Sequence, residues 1–319
     1  MAVSQEKQKE QALNMESVTW GDLTWINIVR PTEREMKYLA DNYPFHPMDL
    51  EDCLSRRQQP KLDVYEGYLF FIFHFSVWDR ASRVSRPDQV SVFIGDKYLI
   101  TIHDGLLKTL VALFRQCQTD EETRRENLSH GSGYLLYRIL DRVTDAYFPV
   151  LNSILAWVDD VEDAVFDENV SAVRELAVLR RDIITQRRIF HSIRPVYAVL
   201  ENKIKRFCKI DITVQFGDLI DHVNKICEAL DEAKEVVDLF KDTDNSFASE
   251  RMNEILRVLT ILATISTVLT FVVGFYGMNI PLPLGSDPGG HPLAWVLFLL
   301  LSILIAALML LYFHRKRWI

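Results

Sequence analysis

The chain has 319 residues, of which 49% are hydrophobic and 25% are charged, and its formal net charge is −8. This acidic balance argues against nucleic acid as a partner, because phosphate backbones are bound mainly through Lys and Arg, and it suits a surface that attracts cations. The charge is unevenly placed: the chain reads as a soluble protein up to about residue 252 and holds almost no charge beyond Arg257 until its final residues.

The N-terminal part is predicted to be a polar tail followed by an α/β domain. Residues 1–16 lack an apolar core, so we expect a disordered tail and not a signal peptide. Residues 17–132 are expected to form a cytosolic α/β domain. Runs of aromatic and β-branched residues predict strands there, at Trp25–Val29, Tyr68–Trp78, Val90–Ile94 and Tyr98–Ile102.

Local sequence signals mark three helix starts inside this domain. Thr32 and Glu35 have the spacing of a capping box, in which each side chain bonds to the backbone of the other. His46-Pro47 begins a second short helix. Asp104-Gly105 leads into a third helix that runs through Cys117.

Helical periodicity takes over after the α/β domain. Residues 133–215 are predicted to form cytosolic antiparallel helices, one at about 134–167 and one at about 170–193, and Pro195 predicts a break or kink late in the second. A stalk helix at 216–276 then continues into the first apolar segment. It would be ~90 Å long at 1.5 Å per residue. An isolated helix of that length is implausible, so we expect it to pack against copies of itself.

Two apolar segments near the C-terminus are long enough to cross a lipid bilayer. Residues 258–276 and 293–313 carry no charge, and roughly 20 helical residues span the hydrocarbon core. The linker 277–292 has no Lys or Arg, whereas the tail 314–319 is basic. The positive-inside rule therefore predicts an integral membrane protein with both termini in the cytoplasm and the linker outside.

The first apolar segment carries more hydroxyl groups than a simple anchor needs. One broad face of its helix holds polar, small and hydroxylated residues along with one leucine, namely Asn253, Leu256, Thr260, Ala263, Thr267, Thr270 and Gly274. Such a face suits close helix packing or the wall of a water-filled pore, and the spacing does not decide between them. One helix cannot enclose a pore, so the pore interpretation requires an oligomer.

The residues at the end of this segment resemble the CorA family of magnesium transporters. That family's signature is Y-G-M-N at the end of the first of two C-terminal spans, and here it is Tyr276-Gly277-Met278-Asn279. The run 252–260, with N-E and L-T at the family's spacing, precedes it. Further likeness at 50–54 and 59–61 and in the arginine pairs of the second long helix extends the resemblance over nearly the whole chain after residue 17.

The resemblance implies the architecture of an α+β membrane protein. A cytosolic α/β domain, a long helical stalk and two C-terminal transmembrane helices would assemble as a funnel-shaped homopentamer in the plasma (inner) membrane of a bacterium or archaeon. Five stalk helices would line one pore, and the second spans would form an outer ring. The face of small and hydroxylated residues would then be the pore wall.

The same resemblance implies a role for each residue along the pore. Gly277, Met278 and Asn279 would form the outer selectivity filter, and Thr270, Leu259, Leu256 and Asn253 would lie successively deeper. Mg²⁺ holds its water shell tightly, so a ring of Asn carboxamides can select the ion through its waters. Rings of leucine can close a pore by excluding water.

A regulatory metal site between subunits is also implied. Asp218 and Asp221 resemble the stalk half of the family's cytosolic Mg²⁺ sensor, and Asp79 resembles the half on the α/β domain. Bound Mg²⁺ would bridge carboxylates that otherwise repel one another and hold the pore closed. Without the resemblance, these three residues would be interpreted as ordinary surface acids.

One departure from the family pattern affects the choice of ion. The family's outer loop commonly continues with an acidic M-P-E-L sequence, whereas here residues 281–285 are Pro-Leu-Pro-Leu-Gly and only Asp287 lies nearby. Electrostatic attraction of cations at the mouth is therefore expected to be weaker. Mg²⁺ uptake is the first interpretation. The alternative within the same fold is transport of Zn²⁺, Co²⁺ or Ni²⁺, coupled or not to protons.

Two rival classes of function remain to be weighed. A membrane-anchored binding or scaffolding module would need no pore, and its hydroxyl face would serve packing only. An enzyme is disfavoured, because the sequence has no H-E-x-x-H, P-loop or nucleophile elbow. Ion flux in liposomes separates a transporter from a scaffold.

Overall fold

The computed structural model describes residues 13–55, 58–79, 84–166, 173–277, 292–316 and 318. The chain divides into two units, Met1–Lys241 and Asp242–Ile319, and one long helix runs through the boundary between them. The first unit contains a six-stranded sheet with helices packed on both faces. The second contains the remainder of the long helix and one further apolar helix.

The sheet has one parallel pair of strands and is otherwise antiparallel. Its order is β1-β2-β6-β5-β4-β3, and only β2 and β6 run parallel. The strands are β1 Met15–Trp20, β2 Leu23–Val29, β3 Lys61–Val64, β4 Leu69–Asp79, β5 Val84–Ile94 and β6 Tyr98–His103. The four predicted strands are confirmed, with β5 beginning six residues earlier than expected. The two strands that the sequence did not predict, β1 and β3, are the edges of the sheet.

Helices make up the remainder of the described architecture. They are α1 Glu33–Asn42, α2 Pro47–Leu54, α3 Lys108–Thr119, α4 Glu121–Leu128, α5 Ser132–Asp145, α6 Phe148–Phe166, α7 Val173–Ile204, α8 Thr213–Tyr276 and α9 Pro292–Arg315, with a 3₁₀ turn at Lys205–Phe207. The capping box that begins α1 is confirmed, because the Thr32 N–H donates to Glu35 Oε2 at 2.8 Å and the Thr32 side chain accepts from the first turn.

Strand β4 explains why the sheet needs helices on both sides. Phe71, Phe73 and Phe75 point to one face and pack in a core with α3, α5, α7 and α8. Phe70 and Ile72 point to the other face and pack against α1 and α2. A strand buried on both faces reads as a continuous apolar run instead of an alternating one. Each buried aromatic ring contributes about 2 kcal/mol of hydrophobic stabilisation.

Three expectations for the first unit are corrected. The tail predicted for 1–16 extends two residues too far, because Met15 and Glu16 already pair with β2. The helix predicted at about 134–167 is two helices, since α5 ends at Asp145 and α6 begins at Phe148. Pro149, the second residue of α6, has no N–H to satisfy there and is typical of a helix start.

The third correction concerns the break predicted at Pro195, because the helix does not end there. α7 continues nine residues beyond it, to Ile204. Proline inside a helix costs about 3 kcal/mol. The neighbouring turns carry Ile193, Tyr197 and Leu200, all with 0% exposure, so their packing in the core offsets that cost.

Ion pairs join α7 to the first part of α8. Arg180 Nε lies 2.7 Å from Asp238 Oδ1, and Arg187 Nε lies 2.5 Å from Asp231 Oδ1. His191 Nε2 also approaches Asp231, at 2.9 Å. The two arginines are seven residues apart on α7, and their partners are seven residues apart on α8 in the opposite order. The two helices therefore run antiparallel in a defined register.

A buried hydrogen-bond network lies where β2 and β6 run parallel. Trp25 Nε1 donates to Thr101 Oγ1 at 3.0 Å, and that hydroxyl donates to Asn27 Oδ1 at 2.7 Å. The Gly105 N–H donates to His103 Nδ1 at 2.9 Å, and His103 Nε2 lies 2.9 Å from the same Asn27 oxygen. Because Nδ1 accepts, Nε2 carries the proton, and the neutral imidazole uses both nitrogens.

Protonation of His103 is therefore expected to destabilise the fold. Burial lowers the pKa of His103 from 6.5 to about 4. The folded state disfavours the imidazolium. The stabilisation provided by neutral His103 is therefore complete above the pKa of the unfolded state and is lost as the pH falls towards the pKa of the folded state. His103→Gln should lower the free energy of unfolding at neutral pH. It should also reduce the further fall of that free energy between the unfolded and folded pKa values of His103. Chemical unfolding of the full chain in detergent measures both effects.

The matched control for this experiment is His130→Gln, since His130 is half-buried and lies outside the network. Its pH profile should follow that of the wild type. A His103→Gln profile parallel to the wild type over the same window would contradict the assignment.

Candidate functional site

α8 is the helix in the described part of the chain that is long and apolar enough to cross a membrane by length and composition. The qualifying segment is Thr213–Gly274, and its most apolar window is 6% buried. α9 is also apolar over Leu299–Arg315, where the described side chains are mostly exposed. Large exposed apolar surfaces of this kind require a cover, which lipid or other chains can provide.

The residues predicted to line a pore lie together on an exposed face of α8. Leu256 is 49% exposed and Leu259 is 60% exposed. The other members of the set are also exposed, namely Asn253, Thr260, Ala263, Thr267, Thr270 and Gly274. The face therefore remains uncovered within a single chain.

The opposite side of the same helix is partly covered. Its buried or half-buried residues follow helical spacing and are Ile261, Thr264, Ile265, Val268, Leu269 and Val272. α9 has a matching half-buried stripe at Ser302, Ile305, Ala306 and Met309 that ends at the buried Phe313. Each helix therefore has one side that is less exposed than the other, and the predicted pore face lies on the exposed side of α8.

Two threonine hydroxyls in this segment donate their protons to carbonyl groups of the same helix. Thr260 Oγ1 donates to the carbonyl of Leu256 at 2.6 Å, and Thr264 Oγ1 donates to the carbonyl of Thr260 at 2.6 Å. A hydroxyl that donates in this way keeps its oxygen as an acceptor. On the exposed face, the Thr260 oxygen can therefore accept from water in the first or second shell of a cation.

Only the first residue of the predicted filter belongs to the described chain. The Gly277 N–H donates to the carbonyl of Val273 at 2.9 Å and closes the last turn of α8. A Cβ at this glycine would lie 3.3 Å from that carbonyl, closer than an ordinary contact. Met278 and Asn279 lie outside the described residues.

The predicted sensor residues are placed on two elements of the first unit. Asp218 and Asp221 lie on the second and third turns of α8 and are exposed. Asp79 is the last residue of β4, where its backbone pairs with Val84; its side chain lies outside the described set. Within one chain, the described residues contain no group of three or more His, Cys, Asp or Glu arranged to hold a metal ion.

The structure adds two acids to this region that the sequence did not indicate, Asp141 and Asp145, and both lie near His222, the residue after Asp221. His222 Nε2 lies 3.7 Å from Asp218 Oδ2, and His222 Nδ1 lies 3.5 Å from Asp145 Oδ1. Burial, with a further contribution from the charge of Asp145, raises the pKa of Asp141 one turn earlier on α5. We call Asp141, Asp145, Asp218 and His222 the acidic corner.

Linear spacing gave no signal for the acidic corner, because α5 and α8 are more than seventy residues apart at these positions. The acids at 141 and 145 share a helix face by their i, i+4 spacing. Their approach to His222 depends on the packing of α5 against α8, where Tyr137 and Phe216 lie with ring centroids 6.5 Å apart.

Comparisons with known proteins agree on one family. The model of the CorA-like Mg²⁺ transporter protein family matches residues 20–315. A cobalt/magnesium transport protein CorA of Thermotoga maritima is 28% identical over 308 residues, which cover 93% of this chain and 83% of the relative. The protein of that name from Methanocaldococcus jannaschii is 25% identical over 301 residues, covering 93% and 92%.

A solved structure extends the likeness to the fold. The complete CorA magnesium transporter from Methanocaldococcus jannaschii matches with a TM-score of 0.79 and 23% identity, and the match covers 95% of this chain and 94% of that one. The α/β unit and the long helix are thus common to both chains.

Proposed function

The chain belongs to the CorA-like Mg²⁺ transporter family, and on that premise we propose that it is a divalent-cation channel that mediates Mg²⁺ uptake through a homopentameric pore. The observation that carries the proposal is the exposed face of α8, which includes Asn253, Leu256, Thr260, Thr267 and Thr270. The other side of the same helix is partly covered. Five copies can bury such faces around one axis. Their threonine oxygens can then accept hydrogen bonds from water along that axis.

The proposed membrane topology has two spans per chain, at 258–276 and 293–313, with both termini in the cytoplasm. The uncharged segments and the basic tail support it. Backbone groups in lipid must be satisfied internally, which the unbroken helical bonding of α8 achieves. In this arrangement α9 forms the outer ring and α8 the inner ring.

Cross-linking provides a test of the five-fold arrangement. The native thiols are poor competitors, because Cys53, Cys117 and Cys227 are buried and burial raises the pKa of the half-buried Cys208 to about 12. Leu256→Cys in membranes should give an oxidative ladder that ends at five chains, since equivalent residues of an inner ring are neighbours. Leu299→Cys on α9 should cross-link poorly. A ladder that stops at two chains would contradict the pentamer.

The proposed filter is the ring formed by Gly277, Met278 and Asn279, with Leu256 and Leu259 as a hydrophobic gate deeper in the pore. An Asn carboxamide both donates and accepts hydrogen bonds, so its ring can hold the waters of a hydrated Mg²⁺ without stripping them. Leucine rings exclude water when the helices close together.

Removal of the Asn279 side chain is expected to stop transport without unfolding the protein. Each lost hydrogen bond to an ion-bound water costs about 1 kcal/mol and the ring repeats it five times, so Asn279→Ala should lower uptake well over tenfold in proteoliposomes. Ser286→Ala in the same linker should transport as the wild type. Normal flux through Asn279→Ala would remove the filter assignment, and absence of flux in the wild type would favour a scaffolding role.

The choice of ion is addressed by the same assay. The loop at 281–285 has no acid, which weakens electrostatic attraction at the mouth, so we include Zn²⁺, Co²⁺ and Ni²⁺, each with and without a proton gradient. Mg²⁺ should be the preferred ion because the Gly-Met-Asn sequence is intact. Faster proton-dependent Zn²⁺ flux would instead support the alternative substrate class.

The proposed regulation is closure by cytosolic Mg²⁺ at Asp79, Asp218 and Asp221, with one half of the site coming from a neighbouring subunit. The acidic corner supports it, because the charge of Asp145 raises the pKa of Asp141, and Asp145 and Asp218 both approach His222. A divalent cation at this corner would relieve the repulsion between the carboxylates of α5. Loss of the metal would leave the subunits free to move apart, which is a ligand-driven shift between two states.

Charge reversal at the sensor should separate regulation from conduction. Asp218→Lys should conduct but lose inhibition by cytosolic Mg²⁺, because the ammonium group occupies the place of the cation. Glu228→Lys makes the same charge change at an exposed position farther along α8 and should keep wild-type inhibition. The measurement is flux against internal Mg²⁺ concentration. Inhibition of Asp218→Lys at wild-type Mg²⁺ levels would reject the sensor.

A further inference from the structure

A cluster of buried polar side chains lies inside the first unit, away from the pore face and the acidic corner. Asp182 and Gln186 lie one turn apart on α7 and have 0% exposure. Ser85, at the start of β5, is 5% exposed, and Tyr147, between α5 and α6, is 3% exposed. We call these four residues the inner polar cluster.

The members of the inner polar cluster lie near one another although they belong to different elements. The backbone N–H of Ser85 donates to Asp182 Oδ1, which ties α7 to β5. Burial raises the pKa of Asp182, and the hydrogen bond from the Ser85 backbone N–H partly opposes that rise. Burial, with a further contribution from the charge of Asp182, raises the pKa of Tyr147, so these two residues lie near each other. The Tyr147 ring also lies 4.3 Å from the ring of Phe190, which is one further turn along α7 from Gln186.

Most polar atoms of the cluster have no hydrogen-bond partner. Among the described residues, this holds for Asp182 Oδ2, both side-chain amide atoms of Gln186, Ser85 Oγ and Tyr147 OH. No Lys, Arg or His of the described chain forms an ion pair with Asp182. A buried polar group without a partner costs about 1–3 kcal/mol, and a charged one costs more. Four residues with this deficit in one place indicate a bound species.

We propose that the inner polar cluster binds a monovalent alkali cation, Na⁺ or K⁺. The available donors are oxygens: one carboxylate, one carboxamide and two hydroxyls, which are hard ligands. The carboxylate supplies one negative charge, which a monovalent cation balances. Mg²⁺ fits less well, because it dehydrates reluctantly and keeps several waters that a buried cluster of side chains leaves little room for.

Such an ion would stabilise the packing of the helix layer on the sheet. Asp182 and Gln186 belong to α7, Ser85 to β5 and Tyr147 to the α5–α6 connection, so a shared ligand joins three elements. A species bound only by the folded state raises its stability with concentration and saturates. The folded chain should therefore respond to the kind of alkali cation present and not only to ionic strength.

The experiment compares thermal unfolding of the full chain in detergent in NaCl, KCl and N-methylglucamine chloride at equal ionic strength, without Mg²⁺. The wild type should show a saturable rise in the midpoint in Na⁺ or K⁺ that N-methylglucamine does not give. Asp182→Asn keeps the shape but removes the charge, so its midpoint should be the same in all three salts. Asp160→Asn, an exposed acid on α6, should retain the wild-type response.

Gln186→Leu tests the cluster in a second way, because it removes a neutral oxygen and leaves the carboxylate. It should raise the cation concentration for half-maximal stabilisation by roughly tenfold, as for about 1.4 kcal/mol of lost binding. Equal wild-type midpoints in the three salts would overturn the proposal and leave a proton or buried water as the occupant. An unaltered cation response in both Asp182→Asn and Gln186→Leu would place the ion elsewhere.

Discussion

The architecture depends on one backbone, that of α8, meeting two different environments without a break. A helix satisfies its own N–H and C=O groups, so the same sixty-four residues can lie in a protein core and continue where little else covers them. The side chains change in character along it. Phe216, Leu219, Val223, Ile226 and Leu230 are buried in the first unit, whereas Leu256 and Leu259 are exposed. The function follows from what must cover that second part.

The fold could be predicted from the sequence where a pattern was both strong and local. The aromatic run of β4 and the capping box of α1 are of this kind, as is the continuity of α8. β1 was missed because a six-residue edge strand that is half polar resembles a tail. The boundary between α5 and α6 was missed because periodicity alone carried the helix past Ala146 and Tyr147, although Pro149 marked the new start. Pro195 lies inside a continuous helix because the packing of its neighbours outweighs the low helix propensity of proline.

The same distinction between local sequence patterns and tertiary packing applies to the candidate site. The face of small and hydroxylated residues could be recognised in the sequence because period and hydroxyl content are properties of one helix, and these residues are exposed in the structure. Asp145 could not, because its approach to His222 depends on how α5 packs against α8. The inner polar cluster had even less signal: Asp182 is one acid among the arginines of α7, and only its complete burial distinguishes it from a surface residue.

The register between α7 and α8 limits how the first unit can move. Arg180 and Arg187 meet Asp238 and Asp231, with His191 sharing the second acid. Sliding one helix along the other by a single turn would separate both pairs. A slide of four residues, ~6 Å at 1.5 Å per residue, would bring Arg180 opposite Asp242 and Arg187 opposite Glu235. Piston motion at this contact would therefore proceed in steps of about one helical turn, with both ion pairs broken between the steps.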